Sequence, residues 1–213
     1  MSDARVKVCG LRRVADAEAC VRAGVAFAGL NRVPGSRRAV DLATCAALMT
    51  ALGPVQPVLV YRDAPRAQVL GDLETLAGIG LCEPWLQLHG DETPQLAATL
   101  RKNGLRVVRA LAGDSDGATV AKWLDIADAV LLDGRQPGSG SDWAWRLPAG
   151  CDRQRLWLAG GLAPHNVARA LQLAPAAVVD AASGLERDGA LDAAKISEFC
   201  QQVRREAAMV RSV

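Results

Sequence analysis

Trp85-Leu86-Gln87-Leu88-His89-Gly90-Asp91-Glu92-Thr93-Pro94 reads as one strand, one loop and the opening of one helix. Trp85 to Leu88 is a short apolar run of the kind found in strands buried on both faces. Thr93 is a good helix cap, and Pro94 suits the first helical position, where its missing N–H costs nothing. The helix they open runs to about Lys102, and Val107-Val108 then centres the next apolar run.

Working outward in both directions, the same unit recurs. Upstream, Val6 to Cys9 reads as a strand, followed by a helix with Val14, Ala17, Cys20 and Val21 at helical spacing and Gly24 as its stop. Val25 to Leu30 is a second apolar run. Asp41 caps a helix carrying Leu42, Cys45, Leu48, Met49 and Leu52 on one face, ended by Gly53-Pro54. Val58 to Val60 is a third strand, and the next helix spans Asp63 to Leu76 with Pro65 in its first turn. Downstream, Val120, Trp123, Leu124 and Ala127 mark a helix, and Ala129 to Leu132 is a strand ending at Asp133. After a Gly/Ser-rich loop come a short helix, a strand over Leu156 to Ala159 and a helix over Pro164 to Leu171. Ala177 to Val179, ending at Asp180, is the last strand. Ile196, Phe199, Cys200 and Val203 stripe the closing helix.

This makes about eight β/α units of roughly 27 residues, the plan of a (β/α)8 TIM barrel near its compact limit. A doubly wound open sheet is the rival, since alternation alone does not separate the two. With no linker or composition shift, residues 1–213 are expected to form a single barrel domain of the α/β class.

Hydrophobic residues make up 50% of the 213 residues but aromatics only 4%, so the expected core is Ala, Val, Leu and Ile. The net charge of +2 and the lack of a long basic run argue against a nucleic-acid surface, although Arg37-Arg38 could bind a phosphate or carboxylate. Arg204-Arg205 reads as a solvated helix face. Six scattered cysteines without a C-x-x-C, and only two histidines, argue against zinc and for free thiols in a reducing cytoplasm. No apolar run reaches the roughly 20 residues that span a bilayer, and the N-terminus does not read as a signal peptide.

Barrel active sites lie at the C-terminal strand ends. Cys9, His89-Gly90-Asp91-Glu92, Arg109, Asp133, Gly160-Gly161, Asp180 and Ser183-Gly184 all fall there. Singly each has a plain structural reading: a small buried hydrophobe, a cap, a tight turn. The glycines after strands seven and eight are more specific, because barrels hold phosphate there on backbone amides. Neither run is a dinucleotide or Walker loop.

Six ordered motifs resemble the phosphoribosylanthranilate isomerase family of tryptophan biosynthesis over nearly the whole chain. They are Val6-Lys7-Val8-Cys9-Gly10-Leu11, Pro34-Gly35-Ser36-Arg37-Arg38, Leu86-Gln87-Leu88-His89-Gly90-Asp91-Glu92, Leu131-Leu132-Asp133 with Gly138-Ser139-Gly140 and Asp142-Trp143, Leu158-Ala159-Gly160-Gly161-Leu162, and Asp180 with Ser183-Gly184-Leu185-Glu186. The resemblance implies an Amadori rearrangement of N-(5-phosphoribosyl)anthranilate to 1-(2-carboxyphenylamino)-1-deoxyribulose 5-phosphate, with no cofactor and no metal. It implies Cys9 as general base and Asp133 as general acid, which requires a thiolate on one and a retained proton on the other. It also implies Arg38 on the anthranilate carboxylate, Asp180 near the bridging amine, and Gly160, Gly161, Ser183 and Gly184 around the phosphate. His89 and Gln87 are as consistent with a wall role as with a catalytic one. The loop after Asp133 is expected to be a mobile cover. The expected partner is a small phosphorylated sugar, with no nucleic acid or membrane, for a cytoplasmic monomer or homodimer.

Departures from the family pattern are Leu30-Asn31-Arg32-Val33 in place of an aromatic-rich run, Tyr61 for Asn, Pro137 for Gly and Ala182 for Ser. They bear on binding more than on chemistry. The related histidine-pathway isomerase would place Asp at the end of strand one and show a two-fold repeat; neither is present. A barrel that had lost catalysis would have no chemical need for Cys9, Asp133 and Arg38 together.

Overall fold

The computed structural model describes residues 4–81, 83–134 and 145–211. Eight parallel strands close into a barrel in chain order: β1 Arg5–Cys9, β2 Phe27–Asn31, β3 Gln56–Tyr61, β4 Trp85–Leu88, β5 Val107–Ala112, β6 Ala129–Asp133, β7 Leu156–Leu158 and β8 Val178–Ala181. Closure is made by β1 against β8, with Lys7 opposite Asp180, which removes the open-sheet alternative. Helices α1 Val14–Ala23, α2 Leu42–Leu52, α3 Arg66–Gly78, α4 Pro94–Lys102, α5 Gly117–Ile126, α6 Val167–Leu173 and α7 Ala193–Arg211 surround it. Between β6 and β7 the described residues hold only a single 3-10 turn, Arg153–Arg155. A small hairpin, β9 Glu186–Arg187 with β10 Ala190–Leu191, is inserted between β8 and α7.

The caps read from sequence are made. Asp41 accepts from the Thr44 amide at 2.7 Å, and Thr93 from the Leu96 amide at 3.3 Å. Gly24 ends α1 at φ 68°, a left-handed conformation that favours glycine. Two helices begin three residues later than their sequence reads. Asp63 sits at φ 53° and is used elsewhere: its carboxylate accepts from the Asp91 amide and its own amide donates to Glu92, so the loops after β3 and β4 are tied together. Likewise, Asn166 holds the turn before α6 by accepting from Ala163 and donating to Gly161.

Side chains alternate between the barrel lumen and the helix layer. Outward residues join the large helix-facing core, whereas Phe27, Val58, Val108, Ala129, Leu131, Trp157 and Val178 form a separate interior cluster. Its base is aromatic, while the rest of the core is mostly aliphatic, as composition predicts. Phe27 lies 4.8 Å from Trp157 and 5.4 Å from Trp85 between ring centroids, with the Arg5 guanidinium 4.9 Å from the Phe27 ring. Few aromatics are needed to plug a lumen of this width at one end. Arg204 is not simply solvated: it donates to the last carbonyl of α1, Ala23, at 2.7 Å.

Candidate active site

Above the aromatic floor the lumen turns polar. On β1 the alternation that turns Val6 and Val8 outward turns Lys7 and Cys9 inward. Lys7 is wholly buried, and the β1–β8 register sets its ammonium 2.8 Å from Asp180 Oδ2. Cys9 lies opposite Gly29 on β2 and is half-buried. A Cβ at residue 29 would stand 2.6 Å from Cys9 Sγ, so only glycine there leaves the sulfur its seat.

Charges in this cluster act on each other. Burial pushes the Cys9 thiol above its ordinary range; the Lys7 ammonium, and more weakly Arg38, pull it back without cancelling the shift. Burial likewise pushes the Asp180 carboxyl up against the pull of Lys7, with Asp133 adding to the rise. Burial opposes the charge on Lys7, yet Asp180 and Cys9 outweigh it and hold the ammonium protonated.

Beyond β4, His89 reaches across the mouth. Its Nε2 lies 3.3 Å from Asp133 Oδ2. The Gln87 amide nitrogen, which can only donate, lies 2.7 Å from His89 Nδ1. Where Nδ1 accepts from that amide, the ring carries its proton on Nε2, facing Asp133. Gln87 and His89 therefore form a chain from the barrel wall to the β6 carboxylate.

Arg38 enters from the loop between β2 and α2. Its stem lies across Gly10, where a Cβ would come 2.4 Å from Arg38 Cδ and where φ is 89°. Its Nε donates to Glu186 Oε1 at 2.7 Å, and Arg37 donates to the other oxygen at 2.6 Å. Burial works against the Glu186 charge, but the two guanidinium groups win and hold its carboxyl below the usual range. Arg38 grips Glu186 through Nε, so its terminal Nη edge is not the part that holds this carboxylate. Gly160, at φ 96°, follows β7 so closely that a Cβ would stand 2.4 Å from the Gly134 amide. Gly161 follows it, and Ser183 with Gly184 forms a 3-10 turn just after β8. Gly160, Gly161 and Gly184 carry no side chain over their backbone amides.

Not every rim residue joins the site. Arg109 faces the helix layer: it pairs with Glu92 at 2.7 Å and its guanidinium lies 4.7 Å from the Trp123 ring. Glu92 is equally occupied, accepting also from the Asp63 and Gly90 amides. The acidic end of the His-Gly-Asp-Glu segment is thus a fastening between loops, and its His is the part that reaches the mouth. Two departures from the family pattern share a cause. Arg32 binds Asp72 through Nε at 3.0 Å and Nη2 at 3.2 Å, and the Tyr61 hydroxyl donates to the same carboxylate at 3.0 Å. They are partners in one buried knot between β2, β3 and α3. The segment 135–144, with Pro137, Gly138-Ser139-Gly140 and Asp142-Trp143, lies outside the described residues.

Two residues of the site carried weaker signals. Lys7 is a charge between two valines on an otherwise apolar strand, which marks a residue that must find a partner inside. Glu186 stands in a family-like segment, but nothing local reveals that it grips Arg38, 148 residues away.

A family model described as N-(5'phosphoribosyl)anthranilate (PRA) isomerase matches residues 6–202. An N-(5'-phosphoribosyl)anthranilate isomerase of Cereibacter sphaeroides is 36% identical over 96% of this chain and 100% of its own length. One from Myxococcus xanthus is 38% identical over 85% of this chain and 87% of its own. Among solved structures, phosphoribosyl anthranilate isomerase from Thermus thermophilus superimposes with a TM-score of 0.78 at 35% identity, covering 94% of this chain and 98% of that one. Another isomerase, solved in complex with reduced 1-(o-carboxyphenylamino)-1-deoxyribulose 5-phosphate, gives 0.78 at 27% identity, over 95% of this chain and 99% of that one. Matched over nearly its whole length in both sequence and fold, the chain belongs to the N-(5'-phosphoribosyl)anthranilate isomerase family.

Proposed function

We propose how this barrel carries out its family's isomerisation of N-(5'-phosphoribosyl)anthranilate in tryptophan biosynthesis, with residues 1–213 acting as one catalytic domain. Asp133 is the general acid: it protonates the ribose ring oxygen, and the ring opens to an iminium. Cys9, as thiolate, is the general base that removes the proton from sugar C2. The resulting enolamine tautomerises to the ketone. Arg38 presents its Nη edge to the anthranilate carboxylate. Asp180 accepts a hydrogen bond from the bridging amine, and the amides of Gly160, Gly161, Ser183 and Gly184 hold the phosphate.

The observation that carries this reading is the pairing of unlike groups at one mouth. A thiol seated beside an ammonium ends β1, a carboxylate contacted by His89 ends β6, and β7 and β8 separate them. A substrate spanning that gap meets base and acid from different sides. The enzyme is read as a cytoplasmic monomer or homodimer acting on a small phosphorylated sugar. Among the described residues no helix is long and apolar enough to cross a membrane.

Steady-state loss of substrate fluorescence tests the roles. Cys9→Ala and Asp133→Asn should each lower kcat by at least about 100-fold while a product analogue still binds. Wild-type kcat in Cys9→Ala would remove Cys9 as the base; full activity in Asp133→Asn would remove Asp133 as the acid.

A further inference from the structure

Cys9 sits where burial opposes its ionisation, yet the proposed chemistry needs a thiolate. We propose that Lys7 is the positioning residue that lets Cys9 act as a base: its ammonium, fixed by Asp180, is the counter-charge that the sulfur meets on losing its proton. The inference rests on the reading of Cys9 as the base.

Geometry supports it in three ways. Residues 7 and 9 of one strand face the same lumen, so the ammonium and the sulfur are neighbours on one side of β1. An ammonium has three donors, and Asp180 Oδ2 takes only one of them. Gly29 presses no side chain into the sulfur's seat, so Cys9 keeps its place beside Lys7. Among the described residues, the charged groups that bear on this cluster are few. They are Lys7 on β1, Asp180 on β8 and Arg38 from the loop after β2, with Asp133 and His89 acting on Asp180. Of the two cations, Lys7 is the one wholly removed from solvent, where a charge acts at longest reach.

The thiol proton leaves through the barrel mouth to water, and a thiolate–ammonium pair remains. Asp180 competes for the same ammonium. Its second oxygen, Oδ1, is buried with no hydrogen-bond partner among the described residues. A substrate N–H bonded there would draw on the carboxylate's charge and leave the ammonium more fully to the sulfur. Substrate binding and base activation are then coupled through Lys7.

Opposite shifts test the idea. The full-length protein is alkylated with iodoacetamide across the range from about pH 6 to about pH 11, and modification of Cys9 is followed by peptide mass spectrometry. Lys7→Met should move the midpoint up and slow alkylation about tenfold or more at pH near 8. Asp180→Asn, which removes the competitor and keeps the ammonium, should move the midpoint down and speed alkylation about threefold or more. A lysine that only packs against β8 would give no such opposition. Midpoints that stay put, or move together, overturn the proposal. Should Lys7→Met fail to fold, Asp180→Asn decides alone: an unchanged or raised midpoint overturns it. Turnover by Cys9→Ala is a separate readout. Activity there would sink the base assignment even where the two midpoints diverge, and an inactive Cys9→Ala with unmoved midpoints would sink the Lys7 proposal alone.

Discussion

Glu186→Gln keeps the size of the side chain and removes the charge that anchors Arg38. Two effects then oppose each other. Without the carboxylate, the Arg38 guanidinium is freer to attract an anionic ligand. A carboxylate pair about 7 Å apart across the guanidinium repels by about 0.6 kcal/mol in water, or about 1.2 kcal/mol at half that dielectric. Arg38 is 22% exposed at an open mouth, so the lower values apply. Against this stands order. A released arginine recovers about 2 kcal/mol of rotamer freedom that binding must remove again. Ordering wins by about 1 kcal/mol, which is about a fivefold rise in KM. Neither Cys9 nor Asp133 touches Glu186, so kcat should hold within about twofold. Fluorescence-monitored steady-state kinetics, with product-analogue affinity as a check on KM, measures both. An unchanged or lowered KM would show that charge release prevails and that Glu186 is no anchor.

Two further outcomes concern stability. Trp157, 1% exposed between Phe27 and Trp85, should cost about 3–5 kcal/mol as Trp157→Ala in urea unfolding, and a loss under about 1 kcal/mol would mean the aromatic floor is not a packed plug. Burial raises the thiols of Cys20 to about 12 and of Cys45 and Cys200 to about 11, from an ordinary 9.0. Above pH 9 the unfolded chain therefore releases protons that the folded one retains. Folding stability should decline from about pH 9 to about pH 11, by up to about 1.4 kcal/mol per thiol per pH unit. Urea midpoints under reducing conditions that stay flat over that window would contradict it.

Much of this architecture can be read from patterns of a few residues. Apolar runs of strand length, Asp41 and Thr93 as caps, and Gly24 as a stop are local signals, and each element they announce is present. The helix starts read at Asp63 and Pro164 fail for two reasons: Asp63 is bonded to the loop after β4, and Asn166 closes its own turn onto Ala163 and Gly161 before α6 begins. The site divides the same way. Position at a strand end is legible, but facing is not, because one residue of register separates lumen from helix layer. Arg109 and Asp133 both lie late in strands; one meets Trp123 outside and the other meets His89 at the mouth. Lys7 with Asp180, Arg38 with Glu186 and Arg32 with Tyr61 and Asp72 are long-range pairings. The resemblance named Asp180 and Arg38, but not what holds either in place.

The ion pair between Lys7 and Asp180 joins residues 173 positions apart. During synthesis β1 emerges well before β8. Until β8 arrives, Lys7 has no carboxylate to enter the lumen with, and a bare ammonium is costly to desolvate. A partly made chain must therefore leave its first strand hydrated and its barrel unsealed, however many middle units have formed. Seam closure and assembly of the central charges become one event. A chain caught short of that event would lack the charge pair at the centre of its site.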